Sequence, residues 1–216
     1  MDILVWTGAD VCSRSRCTSA VVTHLGASTS HGLDIDPILI SRASALAFEA
    51  EISDCTFSCA DFMASPRDFF SAASLSGEPE TARFDTILLL SITKWLHLHH
   101  GDDGMRALFA ALHAYLAHEG GTLVVEPQEY ENCESPRSRR PKPSRSPAGG
   151  FADVKATNKN KALKPMFYTL KMRPPFEEEL KAAGFSLVQT IEREEGGFSR
   201  PLLVWRADKS QAVTCC

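Results

Sequence analysis

A chain of 216 residues with 44% hydrophobic content is long enough to bury one sizeable core, and its 23% of charged residues sits near the globular norm. No run approaches the roughly 18 apolar residues a membrane span needs, and the opening Met1-Asp2-Ile3-Leu4-Val5-Trp6 lacks the basic head and long apolar stretch of a signal peptide. The net charge of −4 conceals an asymmetry, because from Glu134 to Phe176 eleven Lys/Arg residues stand against only two acids, Glu134 and Asp153. A basic block on an acidic body is either a polyanion-binding surface or a solvated insert. The seven cysteines fall at irregular spacing, in the close pairs Cys12/Cys17, Cys55/Cys59 and Cys215/Cys216 with Cys133 alone. None has CxxC spacing, so free thiols in a reducing compartment are expected, with no metal.

In chain order, residues 3–6 read as a first strand, residues 12–16 as a polar turn, and residues 18–25 as a short helix closed by Gly26. Residues 31–37 read as a strand ending in a turn at Pro37, whose missing N–H is harmless in a first helical turn. An Ala- and Leu-rich helix follows over residues 38–51. Residues 57–62 resemble a third strand with Asp61 at its end, and residues 65–82 a loop. The run Phe84-Asp85-Thr86-Ile87-Leu88-Leu89-Leu90 is apolar almost throughout, as suits a central parallel strand covered on both faces. Residues 91–102 read as a loop. Met105, Leu108, Phe109, Leu112 and Leu116 then recur at three- and four-residue steps, predicting a helix over 103–117 that ends at Gly120-Gly121. Residues 122–125 form the next strand. This strand–helix–strand series predicts an α/β fold with a parallel sheet. The Pro/Arg/Ser-rich stretch at 135–150 belongs to no core. Beyond it, Pro174-Pro175 open a helix through Ala183 that Gly184 ends. Residues 185–191 and 202–206 are two strands forming a terminal hairpin, and the tail from Asp208 is expected to fray. A single domain over 1–207 follows, with a basic insert at about 134–162 and a tail at 208–216.

In open parallel sheets, ligands bind where the strands end. Asp34 stands at the second strand's carboxyl end, where a carboxylate can accept from two ribose hydroxyls; the competing reading is an ordinary turn residue. Asp36 is also a candidate cap for the helix behind Pro37. Asp61 is the corresponding candidate at the third strand, for an adenine amino group or a surface turn. The stretch Ser91-Ile92-Thr93-Lys94-Trp95-Leu96-His97-Leu98-His99-His100-Gly101-Asp102-Asp103 follows the strongest strand directly, over the crevice mouth. Its histidines and aspartates could hold a metal, but in a loop reading they are not predicted to. Glu126-Pro127-Gln128 leaves the next strand, and Glu126 either orients a substrate group or makes a structural hydrogen bond. The stretch after strand one, Thr7-Gly8-Ala9-Asp10-Val11-Cys12-Ser13-Arg14-Ser15, holds one glycine and no GxG, short of the usual nucleotide loop.

Several of these segments together resemble the Bin3-type RNA 5′-phosphate methyltransferases. They are Leu90-Ser91-Ile92-Thr93-Lys94-Trp95-Leu96-His97-Leu98, Gly101-Asp102-Asp103-Gly104, Glu126-Pro127-Gln128, Gly32-Leu33-Asp34-Ile35-Asp36 and Gly197-Phe198-Ser199-Arg200-Pro201. The first is specific; Gly-Leu-Asp-Ile-Asp is generic to methyltransferases. The resemblance implies a class I methyltransferase: a Rossmann-like, doubly wound, mostly parallel seven-stranded sheet with a C-terminal antiparallel hairpin. It implies S-adenosylmethionine as cofactor and an RNA with a 5′ phosphate as acceptor, with nucleus or cytoplasm as the location and no membrane partner; the oligomeric state is left open, a monomer among the options. Cys12, Asp34, Asp61, Phe62, Leu90 and Ser91 would border the cofactor. Thr93, Lys94 and Trp95 would line the methyl and phosphate site. His97, Glu126, Gln128 and Arg200, with Arg137, Arg139, Arg140 and Lys142 of the insert, would meet RNA. The sequence departs from the family in two places: His99-His100 replace an Asn-Trp pair, and Ser13 and Ser15 replace an asparagine and a glycine of the first motif.

Methyl transfer to a phosphate oxygen needs in-line placement more than covalent help, since the acceptor is already an anion. No general base is expected, and Lys94 is the candidate that positions the phosphate. Competing readings are a methyltransferase for a small molecule or protein and a non-catalytic RNA- or partner-binding relative. A nicotinamide-dependent oxidoreductase is disfavoured because no GxGxxG precedes Asp34.

Overall fold

The computed structural model describes residues 2–7, 26–64, 84–116, 120–128, 169–192 and 200–208. Cys12, the predicted helix at 18–25, and Arg137, Arg139, Arg140 and Lys142 with the rest of the basic stretch lie outside the described residues.

Seven strands form one sheet: β1 (Asp2–Thr7), β2 (Thr29–Asp34), β3 (Cys55–Cys59), β4 (Thr86–Leu90), β5 (Thr122–Glu126), β6 (Phe185–Ile191) and β7 (Leu202–Ala207). Their order across the sheet is β3-β2-β1-β4-β5-β7-β6. The five strands from β3 to β5 in this order pair in parallel, whereas β7 enters antiparallel between β5 and β6. The order reverses at β1, which pairs with β2 on one side and β4 on the other. This is the class I methyltransferase arrangement, and the crevice at the reversal lies at the carboxyl edge.

The central strands β4 and β5 bury alternate residues, whereas the edge strand β6 is exposed beyond Phe185. Leu4, Leu33, Ile87, Leu89, Leu123, Val125, Leu203 and Trp205 join one large core, while Ile3, Val5, Ala27 and the half-buried Leu88 form a second cluster. Each fully buried side chain of this size contributes about 1.5–3 kcal/mol.

Helix α1 (Pro37–Glu49) starts because Asp36 caps it, its Oδ1 accepting from Ile38 N at 2.8 Å, with Pro37 in the first turn. Leu39, Ala43 and Ala47, four residues apart, are its buried stripe, and it packs on β2 and β3. Helix α2 (Thr93–Tyr115) lays Met105, Leu108, Phe109 and Leu112 into the large core. Helix α3 (Glu177–Ala182) places Leu180 in the same core.

Several boundaries differ from those the sequence predicts. Residues 93–100 are helical, not a loop; α2 begins ten residues before the predicted start and bends at Gly101 (φ 69°, ψ −173°), outside helical space. Glycine alone takes that conformation readily. The third strand is Cys55–Cys59, so Asp61 and Phe62 lie beyond it. The last helix begins at Glu177, not at the proline pair. Asp208, placed in a frayed tail by the sequence reading, is tied down: its N–H donates to Gly184 O at 2.8 Å and its carboxylate accepts from Ser186 Oγ.

Among the described residues no helix is long and apolar enough to cross a membrane, no group of His, Cys, Asp or Glu is arranged to hold a metal, and Cys55 and Cys59 form no disulfide.

Candidate active site

Register brings the strand ends into one line. Thr7 pairs with Leu90 and Leu90 with Glu126, while Asp34 pairs with Cys59 one strand further on. The tips of β1, β4, β5 and β2 therefore end close to one level, and the residues leaving them crowd the reversal point.

Asp34 is 4% exposed. Its Oδ1 accepts from the N–H of Asp36 at 2.8 Å, while Oδ2 is buried with no hydrogen-bond partner among the described residues. Burial raises its pKa above the ordinary carboxylate value, backbone hydrogen bonds from Asp36 and Ile35 oppose the rise, and the nearby Asp36 charge adds to it. A buried acceptor without a donor costs about 1–3 kcal/mol, and a hydroxyl-bearing ligand would remove that cost.

At β4 the chain turns through Ser91, whose φ of 57° is left-handed. For a non-glycine residue this costs about 1–3 kcal/mol and collects at functional sites. The turn aims Ser91 Oγ sideways: it donates to Glu126 Oε2 at 2.7 Å and accepts from Arg200 Nη1 at 3.0 Å. Three residues far apart in sequence thus join β4, β5 and the entry to β7. The antiparallel course of β7, with Leu203 opposite Val125, is what brings Arg200 to the carboxyl edge.

The first turn of α2 follows. Ile92 offers no side-chain cap and the turn has no acidic residue, so the positive end of the helix faces the crevice side uncapped. Thr93 is fully buried and its Oγ1 has no hydrogen-bond partner among the described residues. Lys94 is 3% exposed, with Nζ 5.2 Å from the ring centroid of half-buried Trp95. Gln128, just past β5, is buried with Oε1 unpartnered among the described residues. The candidates Asp34, Leu90, Ser91, Thr93, Lys94, Trp95, Glu126 and Gln128 thus all stand at, or a few residues beyond, strand ends of the carboxyl edge, and Arg200 stands there just before β7.

Three candidates sit differently from expectation. His97, expected at RNA, is fully buried. Its Nε2 lies 2.7 Å from Asp102 Oδ1 and its ring meets Phe176 edge-on at 5.4 Å. Because a carboxylate only accepts, Nε2 carries the hydrogen. Burial holds the His97 pKa below its usual value, more strongly than Asp102 raises it. Phe62, expected beside an adenine, is fully buried in the core. Asp61 is exposed, and its Oδ1 accepts from Met63 N at 3.0 Å and Ala64 N at 3.3 Å, closing its own turn.

Sequence reasoning saw Asp102 only as a metal candidate and as part of a family segment, and gave it no structural role. Besides His97, it accepts from Lys171 N at 2.9 Å and Met172 N at 3.2 Å. Burial alone would raise its pKa, but the hydrogen bonds from His97, Lys171 and Met172 together bring it below the ordinary value. The signal was Gly101-Asp102: a glycine followed by a short acceptor marks a break in which side-chain bonds replace helical ones.

The fold and the polar groups at its carboxyl edge define a class I methyltransferase domain. Residues 84–207 match the model of the family described as Bicoid-interacting protein 3 (Bin3), and the chain belongs to that family. Among curated proteins, a probable RNA methyltransferase of Arabidopsis thaliana is 36% identical over 112 residues, which cover 52% of this chain and 33% of that protein. The 7SK snRNA methylphosphate capping enzyme of Homo sapiens is 29% identical over 139 residues, 62% of this chain and 17% of that one. The human RNA 5′-monophosphate methyltransferase is 36% identical over 108 residues, 50% and 34% of the two chains. The matches thus span about a third or less of these relatives. Of solved structures, WbdD in complex with a kinase inhibitor superposes with a TM-score of 0.55 at 15% identity, covering 96% of this chain and 35% of that one. Magnesium protoporphyrin IX methyltransferase from Synechocystis gives 0.51 at 14% identity, covering 95% and 73%. At such identities these two report on the fold alone.

Proposed function

We propose that the chain is an S-adenosylmethionine-dependent methyltransferase whose acceptor is the 5′-terminal phosphate of an RNA. The observation that carries this reading is a set of buried polar atoms at the carboxyl ends of the strands that have no hydrogen-bond partner among the described residues: Asp34 Oδ2 on one side of the reversal point, Thr93 Oγ1 and Gln128 Oε1 on the other. Their chemistry differs. A lone carboxylate oxygen suits a ribose diol, which donates. A hydroxyl on an uncapped helix start, beside Lys94 and near the Arg200–Ser91 pair, suits a phosphate, which accepts. Membership of the Bin3 family, with relatives named as RNA methyltransferases and methylphosphate capping enzymes, supports the same acceptor.

When bound, S-adenosylmethionine supplies an electrophilic methyl carbon on a sulfonium, which would pass to one phosphate oxygen with loss of the carbon–sulfur bond, giving a methyl phosphate ester and a neutral thioether. The residues of this chain then have positional tasks. Asp34 holds the ribose. Lys94 and Arg200 neutralise and orient the phosphate, and Glu126, through Ser91, keeps the arginine aimed. No proton has to move, so no general base is required. Too close a contact between Lys94 and the attacking oxygen would blunt it; resting against Trp95 keeps the ammonium from full engagement. The basic stretch, with Arg137, Arg139, Arg140, Lys142 and Arg145 and on through Lys155 to Lys164, supplies phosphate contacts that give affinity without sequence readout.

The deciding experiment is transfer of labelled methyl to one RNA sequence bearing a 5′ triphosphate, monophosphate or hydroxyl. Label on the phosphorylated RNAs and none on the hydroxyl is expected. Equal labelling of all three would refute the phosphate acceptor, and binding of the cofactor with no RNA labelling would point to another substrate.

A further inference from the structure

The bend in α2 does more than end one helical segment and start another. On its near side, residues 93–100 carry Thr93, Lys94 and Trp95; on its far side, residues 102–115 are fixed in the large core through Met105, Leu108, Phe109 and Leu112. Two features hold the two halves together at the bend. Gly104 lies so close to His100 that a Cβ there would stand 2.4 Å from His100 Cβ, so only glycine permits the approach. Asp102 collects three donors: His97 Nε2 and Met172 N on Oδ1, and Lys171 N on Oδ2. The residues it holds come from elsewhere in the fold. Leu170 and Met172 are buried, Arg173 Nη1 donates back to both their carbonyls at 2.7 and 2.8 Å, and Phe176 closes on the His97 ring.

We propose that Asp102, acting through His97, is a positioning residue for the acceptor half of the site. It docks residues 170–172 on the bend and so sets the angle at which the turn bearing Thr93, Lys94 and Trp95 faces the strand tips. Neither residue touches substrate. The inference rests on the functional reading above only for its kinetic readout, since the docking itself is a property of the folded chain. In a straight helix, residues 97 and 102 are five apart and do not face each other. Their contact therefore exists only while the bend is held, which makes it a direct measure of that angle.

Asp102→Asn is the least disruptive test. The amide oxygen can still accept from His97 and Met172, but the NH2 group meets the Lys171 N–H, donor against donor. His97→Leu removes the bond from the other side, and His97→Gln can restore a donor. With RNA as acceptor, Asp102→Asn and His97→Leu are each expected to lower kcat about tenfold while the cofactor Kd changes less than twofold; His97→Gln should recover at least half of the lost rate. Amide hydrogen exchange should quicken at Lys171 and Met172 and, with it, across residues 93–100. An unchanged kcat with the 171–172 amides released would overturn the proposal. So would parallel loss of cofactor binding without rescue by glutamine, the mark of a merely structural pair. If the unaltered chain methylates no RNA, the exchange data decide alone: opening at 171–172 that leaves 93–100 fully protected defeats the latch, whatever the substrate.

Discussion

The two sides of the crevice solve opposite problems. On the β2 side a single carboxylate, Asp34, is buried with one oxygen committed to the backbone and the other unpartnered among the described residues. On the β4–β5 side the polar groups are linked, Arg200 to Ser91 to Glu126, and a lysine is buried beside them. One side lacks a donor; the other gathers cations, a hydroxyl and a helix start. The contrast teaches that a single row of strand tips can present complementary chemistry to two ligands, because each tip is finished by a different local device: an Asx turn at β2, a left-handed residue at β4.

Substitutions can break that contrast. The largest effect is expected from Lys94→Ala, which should lower RNA methylation about 10²–10³-fold, the scale of losing one preorganised electrostatic contact. Cofactor affinity should stay within threefold by calorimetry; equal loss of both would erase the division between the sides. Next in size is acid stability. Burial lowers the His31 pKa to about 4, and that of His97 is lowered too. Since the unfolded chain then binds protons that the folded chain refuses, stability is full above about pH 6.5 and falls as pH drops toward 4. His31 alone contributes up to roughly 3 kcal/mol of that fall. Urea titrations at pH 7 and 4.5 should show it, and His31→Gln should flatten the curve, placing most of the acid sensitivity on the β2 side.

Asp34→Asn should weaken cofactor binding about tenfold or more, because an amide replaces one acceptor oxygen with a donor. Activity at saturating cofactor should be largely kept. The smallest effect is the most diagnostic. Ser91→Gly should leave stability within about 1 kcal/mol, because relief of the left-handed strain offsets the hydrogen bonds lost to Glu126 and Arg200, and yet lower turnover severalfold by uncoupling Arg200 from Glu126. A variant with no loss of rate would show that the strained turn serves packing alone.

How far the sequence foretold this depends on the range of the forces involved. Local signals carried well: the Asp36-Pro37 start of α1, the apolar run that became β4 and the hairpin β6–β7 were all legible, and so was Asp34 at its strand end. What failed depended on contacts between distant segments. Residues 93–100 hold a lysine, a tryptophan and three histidines, a composition that reads as an exposed loop. They are helical because Leu96, His97 and Leu98 are buried and the bend at Gly101 returns Asp102 to His97. A histidine whose partner appears only after a bend looks free in the sequence. Phe62 was misplaced for a simpler reason: β3 ends at Cys59, and beyond it a turn closed by Asp61 decides which side chains face inward.

The antiparallel entry of β7 has a consequence for how this site comes into being. Arg200 reaches Ser91 only because the strand after it slots between β6 and β5, the latter laid down much earlier in the chain. During synthesis, Asp34 and the α2 turn can be in place while the arginine is still unmade. The nascent domain therefore has a β4–β5 side that is incomplete until the last strand has emerged, and the β2 side is ready first.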